Sequence, residues 1–373
     1  MLLRAICILV LLGILVAGLW PFHTPRNEVS WLSQTNGILL GKHGSIVSAG
    51  SFKARASQGN NSCSLEIWLK PSRVDSGGMI LAFYQPERRI VPFALRQFRG
   101  GLVVEHNLKS RFDKKMEMYI GDVFNIHKPV LVTITSGNAG SAVYVDGAFV
   151  KRAESYAISN QDLTGRLVVG NAASTNYHWS GQLKGIAVYD RELSAPEVSE
   201  SFLDWTKSRQ LDSVTSEDLV ARYLFDEGDG NVVHNRADPA TDLLIPERFF
   251  VLNEQFLERP WDEFRPTWGY WEDIAVNIVG FVPLGFSFYA YFSQLRRIEH
   301  PVALTIALGF AVSLTIEVLQ AFLPTRASGM TDLFTNTLGT ATGVMVFRFR
   351  FVQAVLGATV LRTEKSSVLV VSG

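Results

Sequence analysis

The sequence predicts a mixed fold, an all-β sandwich inserted into an α-helical membrane bundle of about four spans. Three observations lead there. Apolar residues make up 47% of the 373 positions and crowd into the first 22 and the last hundred. The stretch between them alternates apolar and polar positions in short runs broken by Gly, Asn, Asp and Ser, the pattern of strands joined by tight turns. Lys and Arg collect at the ends of the apolar runs, as they do beside membrane helices.

Composition also excludes. Lys plus Arg and Asp plus Glu number 35 each, so no global basic field argues for a nucleic-acid partner. Cys7 lies in the first apolar run and Cys63 in the alternating segment, which makes neither a disulfide framework nor a cysteine metal site.

The first apolar run, Ala5 to Trp20 after Arg4, is short for a spanning helix, which takes about 20 residues. It reads either as a retained helix or as a signal peptide cleaved after Gly18. Trp20, closing the run as an interfacial anchor, favours the helix, and the first unit is set at 1–28. Residues 274–292 and 302–322 are each long enough for a span, separated by the basic turn SQLRRIEHP, and a further run covers 331–347. Together they make a helical membrane domain at 273–348. An aromatic linker at 247–272, with Trp261, Trp268, Tyr270 and Trp271, precedes it. A tail at 349–373 follows, whose apolar piece 351–361 is too short to span. Arg4, Arg296, Arg297, Arg348, Arg350, Arg362 and Lys365 fall on one side of a four-span arrangement. The expectation is a multi-pass protein of the inner cell membrane, with both termini cytoplasmic and the large middle segment outside the cytoplasm.

That middle segment, 29–246, contains SLEIWLKP, LVTITSG, SAVYVDGAFV, GRLVVGN and GQLKGIAVYD, short alternating runs at sandwich spacing. VDG at 145–147 is a hairpin signal, because Asp and Gly tolerate the positive φ of a tight turn. SCSLEIWLKP, SAVYVDGAFV and above all LVVGNAASTNYHWSGQLKGIAVYDRELSAPEV (167–198) resemble the laminin-G-like, concanavalin-A-like jelly roll. The resemblance implies an all-β jelly-roll sandwich of two antiparallel sheets whose last strand is followed by a short helix, here beginning at LSAPEV. Residues 221–246 are similar to the opening strand and loop of such domains yet come after the closing motif. One reading makes them a permuted edge strand of the same sandwich.

Some members of that superfamily cleave glycans with carboxylates in a Glu-x-Asp-x-x-Glu run along one strand, whereas SLEIWLKP carries only Glu66. The domain therefore reads as a binding module for an envelope glycan, a peptide or a protein partner. Tyr177, His178 and Trp179 are its candidate ligand-stacking residues, with core or rim packing as the competing reading. No cofactor is expected. Asp146, Asp162 and Asp190 are oxygen donors of the kind Ca²⁺ takes, and turn chemistry accounts for them equally.

The membrane segments hold the second candidate site. Asp273 and Asn277 open one span, Glu317 and Gln320 close the next, and Asp332 and Asn336 open the last, with Arg326 in the loop between. The spacings of 4, 3 and 4 put each pair on one helix face, and the orientation above brings all three pairs to one leaflet. Arg326 is the expected counter-charge, able to fork to the carboxylates. Gly339 and Gly343 form a GxxxG for close helix approach, and Pro283 interrupts the second span. Ionisable groups are costly in lipid and point to a site, here an outward-opening pocket for an amphiphile head group, with hydrogen bonds that simply glue the bundle as the competing reading. The residues D…NIVGFVPLGF (273–286), EVLQAFLPTR (317–326) and DLFTNTLGTATG (332–343) resemble the VanZ-like membrane family. That resemblance implies a role near glycopeptide-antibiotic tolerance in the bacterial envelope, with no settled biochemical activity. The expected function is non-catalytic binding of membrane lipid by the bundle and of a glycan or protein by the sandwich. The alternative is a membrane enzyme acting on a lipid-linked envelope precursor, with Glu317 or Asp332 as general base and Arg326 stabilising developing negative charge.

Overall fold

The structure, a computed structural model, describes residues 1–54, 61–108, 116–173, 177–207, 218–253, 256–264 and 266–349. The apolar piece 351–361 and the basic residues Arg350, Arg362 and Lys365 lie outside the described residues. The chain forms two units, Thr24–Glu254 and a second made of Met1–His23 with Gln255–Gly373.

The first unit is a jelly-roll-like sandwich of two antiparallel sheets. One sheet runs in the order β1 (Val29–Trp31), β2 (Ile38–Leu40), β13 (Gly181–Tyr189), β4 (Cys63–Pro71), β9 (Val130–Gly137), β10 (Gly140–Val145) and β11 (Ala148–Ala153). The other runs β15 (Val232–Val233), β16 (Leu243–Leu244), β3 (Ile46–Ser48), β12 (Arg166–Val169), β5 (Gly77–Gln85), β6 (Ile90–Phe98), β7 (Gly101–Leu108) and β8 (Met116–Ile120). Alternation decides what lies between them. Leu65, Ile67 and Leu69 of β4 point inward to meet Leu81 and Phe83 of β5 and Phe93 and Leu95 of β6 in one buried core. The VDG turn joins β10 to β11 with Asp146 at φ 51° and Gly147 at φ 78°, the left-handed pair that the hairpin requires.

The segment after the closing motif completes both sheets. β14 (Leu219–Tyr223) pairs with the second half of β13, while β16 pairs with β3. The permuted-strand reading of residues 221–246 therefore describes a segment shared by the two sheets. Helix α2 (Ala195–Thr206) begins within LSAPEV, where Glu197 accepts the Ser194 N–H at 2.8 Å and the Ser194 hydroxyl at 2.6 Å in a capping box. Its Val198 and Trp205 pack with Tyr144, Ala187 and Tyr189 in a second, smaller core.

The second unit is helical. α1 (Leu2–Leu19), α3 (Pro260–Glu263), α4 (Trp268–Phe292), α5 (Pro301–Gln320) and α6 (Met330–Arg348) form it. α1 packs on α4 and α5 although the whole sandwich separates them in sequence, because Val10, Leu11, Ile14 and Leu15 can bury their apolar faces against Phe281, Leu284, Val312 and Ile316. α4 starts before residue 274, with Thr267 accepting the Tyr270 N–H, so Trp268, Tyr270 and Trp271 are helical rather than part of a linker.

Three described helices, α1, α4 and α5, are long and apolar enough to cross a membrane; the expected fourth span, α6, is not. The reason lies in its surroundings. α6 packs on both α4 and α5, and Gly339 and Gly343 face the α4 backbone at Ile278 and Val282, with Gly285 of α4 facing Thr340 in return. Thr335, Thr337, Thr340 and Thr342 donate their hydroxyls to carbonyls one turn back, at 2.7–3.0 Å. Such a helix carries polar residues because protein and its own backbone satisfy them.

Candidate functional site

The two ends of the helical unit differ in chemistry. At one end Arg4 lies over the Tyr291 ring at 5.7 Å and Phe347 meets Phe286 and Tyr289, so the start of α1 joins the ends of α4 and α6. Arg348 closes α6 there, and Arg296 and Arg297 follow α4. The opposite end holds the polar residues. There a cavity of about 750 Å³ opens among α1, α4, α5 and α6, lined by Asp273, Asn277, Glu317, Gln320, Arg326, Asp332 and Asn336 together with Val10, Ile14, Val276, Phe281 and Pro283. All seven polar residues singled out from the sequence thus line one cleft with an apolar flank.

Their hydrogen bonds divide them. Gln320 Nε2 donates to the Gly18 carbonyl at 2.7 Å, and Arg326 donates to the Trp20 carbonyl through Nε at 3.1 Å and through Nη2. Both side chains tie the end of α1 to α5 and the loop after it. Arg326 was expected to pair with a carboxylate, and this is corrected: no carboxylate is its hydrogen-bond partner among the described residues. A backbone carbonyl at the end of α1 lacks an intrahelical donor, so a guanidinium fork satisfies it well.

Glu317 is also partly structural. Its Oε2 accepts the Gly329 N–H at 2.8 Å, while Glu263 Oε2 accepts the Thr331 N–H at 3.1 Å. Two carboxylates thereby cap the first turn of α6, where unpaired N–H groups and the helix dipole favour negative charge. Burial pushes the Glu263 carboxyl above its ordinary value, with Asp332 and Glu258 adding to the rise. Sequence reasoning missed Glu263, whose signal is an acid in PWDE at the end of a four-residue helix started by proline. It also missed Ser313, whose spacing of four and seven from Glu317 and Gln320 puts it on the same face of α5.

The remaining groups bridge helices around the cleft. Asn277 Nδ2 donates to Asp332 Oδ1 at 2.7 Å, joining α4 to α6, and Asn336 Nδ2 donates to Ser313 Oγ at 3.0 Å, joining α6 to α5. Asn336 is 4% exposed, and its Oδ1 has no hydrogen-bond partner; neither has the buried Thr325 Oγ1. Asp273 stands exposed at the mouth without a partner among the described residues. The cleft therefore sets the carboxylate of Asp273 at its mouth, beside an apolar wall.

In the sandwich, the three adjacent candidates part company. Trp179 is corrected from ligand contact to core: it is 2% exposed, and its Nε1 donates to Gln97 Oε1 at 2.7 Å. Tyr177 is 37% exposed and His178 half-buried, its imidazole pushed below the ordinary value by burial, with Lys42 and His43 acting in the same direction. The proposed Ca²⁺ donors are engaged elsewhere. Asp146 accepts the Leu131 N–H and pairs with Lys128, and Asp162 accepts from Ser159. Among the described residues no group of three or more His, Cys, Asp or Glu stands close enough to hold a metal ion. Sequence reasoning also missed a polar and aromatic surface on the second sheet. Alternation turns Arg96, Phe98, Glu105, Glu117 and Tyr119 away from the core, with Arg96 bound to Glu105 at 2.7 Å and 3.7 Å from Glu117. Phe98 and Tyr119 are exposed there, edge to face.

Comparison with known proteins places both units. The VanZ/LLP1 family profile matches residues 224–352, and the Laminin_G_3 profile of the concanavalin A-like lectin/glucanases superfamily matches residues 44–199. No curated protein matches the chain. Among solved structures the chain is similar to the receptor binding domain of botulinum neurotoxin mosaic serotype C/D, at 16% identity and a TM-score of 0.37 over 48% of this chain and 44% of that one. It is also similar to the Ruminococcus gnavus IT-sialidase CBM40 bound to α2,3-sialyllactose, at 13% identity and a TM-score of 0.34 over 46% of this chain and 96% of that one. The chain thus spans less than half the length of the first of these. Helices able to cross a membrane, a VanZ match that covers α4 and α5, and a jelly-roll-like sandwich agree with one another. The chain carries a VanZ/LLP1 domain at residues 224–352 and a concanavalin A-like Laminin_G_3 domain at residues 44–199.

Proposed function

We propose that this is a non-catalytic binding protein of the bacterial inner membrane, in which the cleft of the helical unit holds the head group of a membrane amphiphile. The observation that carries this reading is the convergence of seven polar side chains from three helices and one loop on a single cleft with an apolar flank. Polar groups that served only as helix glue would be used up in pairs between helices, whereas Asp273 lines the cleft without a partner among the described residues. The basic residues at the opposite end support an orientation with that end cytoplasmic, the cleft at the outer leaflet and the sandwich outside. In this arrangement the sandwich captures an envelope glycan or protein, with the exposed Tyr177 and Tyr119 and the half-buried Arg96 as the polar-aromatic surface for it. A link to envelope stress or glycopeptide tolerance belongs to the same proposal.

Gly280 gives a clean test. It lines the cleft, and a Cβ placed on it meets nothing within 4 Å. Gly280→Phe therefore starts its side chain in open space beside the cleft, and it replaces a poor helix former. Wild type and variant are purified into nanodiscs of native lipid, and tightly held lipids are identified by mass spectrometry. Loss of one lipid class from the variant at unchanged thermal stability is expected. An identical lipid profile would remove the head-group reading. Solubilised cell-wall glycan retained by the same nanodiscs would support the sandwich reading, and failure to retain it would count against a glycan ligand.

A further inference from the structure

We propose that the cleft is a lateral groove that takes the hydrocarbon chain of the amphiphile along the depth of one leaflet, so that its ligand is a whole membrane lipid and not a free head group. This deepens the head-group reading and rests on it. The shape of the lining carries the inference. On α1 the lining residues are Val10, Gly13, Ile14, Ala17 and Gly18, at the three- and four-residue spacing of one helix face. On α4 the lining begins at Asp273, returns at Val276, Asn277, Gly280 and Phe281, and ends at Pro283. At about 1.5 Å per residue, the α1 face is about 12 Å long and the α4 face about 15 Å. A bilayer's hydrocarbon core is about 30 Å thick, so the cleft runs the depth of about one leaflet.

The groove is graded from polar to apolar. α1 and α4 run in opposite directions, since Arg4 at the start of α1 lies over Tyr291 near the end of α4. Gly18 and Asp273 therefore share the polar end. Asn277 and Asn336 stand one turn below Asp273 and Asp332, and below them the lining is Val10, Gly13, Gly280, Phe281 and Pro283. The groove is also open along its side. Phe281 and Ile316 are buried and form its floor, whereas Gly13 and Ala17 on one rim and Val276, Gly280 and Pro283 on the other are exposed. A Cβ placed on Gly13 or Gly280 meets nothing within 4 Å, so protein leaves both rims open. Hydrophobicity alone does not draw a chain out of lipid, because lipid tails are as apolar as the groove. Close packing along the furrow holds it, with the head group fixed at the mouth. A free head group makes only the second of these contacts.

The full chain is purified into nanodiscs of native lipid and extracted into detergent, and the lipid still held is quantified by mass spectrometry. Gly13→Phe places a ring on the apolar part of the lining, about 7.5 Å below Gly18 along α1. Leu12→Phe, at an exposed position of α1 outside the lining, is the control. Lipid held by Gly13→Phe should fall about tenfold at unchanged melting temperature, while Leu12→Phe holds as much as wild type. A second arm needs no variant. Wild type is challenged with intact native lipid or with the same lipid after mild alkali has removed its acyl chains. Intact lipid should displace what is held, and the water-soluble head groups should not. Displacement by head groups at the concentration at which intact lipid acts would overturn the groove. So would an unchanged profile in Gly13→Phe where Gly280→Phe has lost its lipid. Either result leaves the head-group reading standing. Wild type that holds no lipid would remove both.

Discussion

Two buried glutamates, one in each unit, show how differently the units treat charge. Glu66, 0% exposed on the outward side of β4, accepts from Tyr189, Ser201 and Trp205 at 2.9–3.2 Å and from Thr133 at 3.4 Å. Glu317, 1% exposed near the end of α5, accepts the Gly329 N–H at 2.8 Å with the Ser328 hydroxyl as a second donor, and it lines a cavity. A carboxylate surrounded by donors is finished as a structural element and locks α2 onto its sheet. A carboxylate with fewer donors beside a cleft is less completely tied to its neighbours. The comparison separates satisfied polarity, which reports on folding, from unsatisfied polarity, which reports on binding.

The largest expected effect would break that comparison if it failed. Glu66→Ala strips the shared acceptor from four donors, and a loss of about 3 kcal/mol or more is expected for the sandwich. Glu317→Gln keeps an acceptor for Gly329 and should cost only about 1 kcal/mol. Thermal unfolding of the full chain, followed by tryptophan fluorescence, measures both. Equal losses would show that Glu317 is as structural as Glu66.

A smaller effect sharpens the comparison from the exposed side. Glu197 is pushed down to about 2 by hydrogen bonds from the Arg191 guanidinium and from Ser194. Its folded value lies below the ordinary carboxylate value, so its contribution is complete above about pH 4.5 and is lost as pH falls toward 2. The pair is solvent-screened, so Glu197→Gln should cost only about 0.5–1 kcal/mol near neutral pH. Melting temperatures of wild type and variant should converge as the pH is lowered through that window; a constant difference would refute the capping-box account.

The polar cleft was legible because helix spacing is rigid. Pairs at four, three and four residues must share a face, and the alternation of chain direction between successive helices set those pairs at one end. The partners were not legible. Nothing in the sequence assigns Arg326 to a carbonyl of α1 rather than to a nearby acid, since both choices satisfy a guanidinium and only the approach of α1 decides. Trp179 illustrates the same limit in the sandwich. Its neighbour Tyr177 is exposed, and the difference comes from Gln97, distant in sequence, placing an acceptor for the indole within the core.

The sequence by itself determined the local elements: strands from alternation, the hairpin at Asp146 and Gly147, the helix start at Ser194 and the apolar helices. It also determined that seven polar residues share one end of a bundle. Tertiary structure alone decided that residues 221–246 serve both sheets, that α6 hides its threonines and asparagine against neighbouring helices, and which buried polar atoms are left without partners. The physical reason is range. Propensity and periodicity act over a few residues, whereas the satisfaction of a buried polar group depends on partners that only the folded chain brings within 3.5 Å.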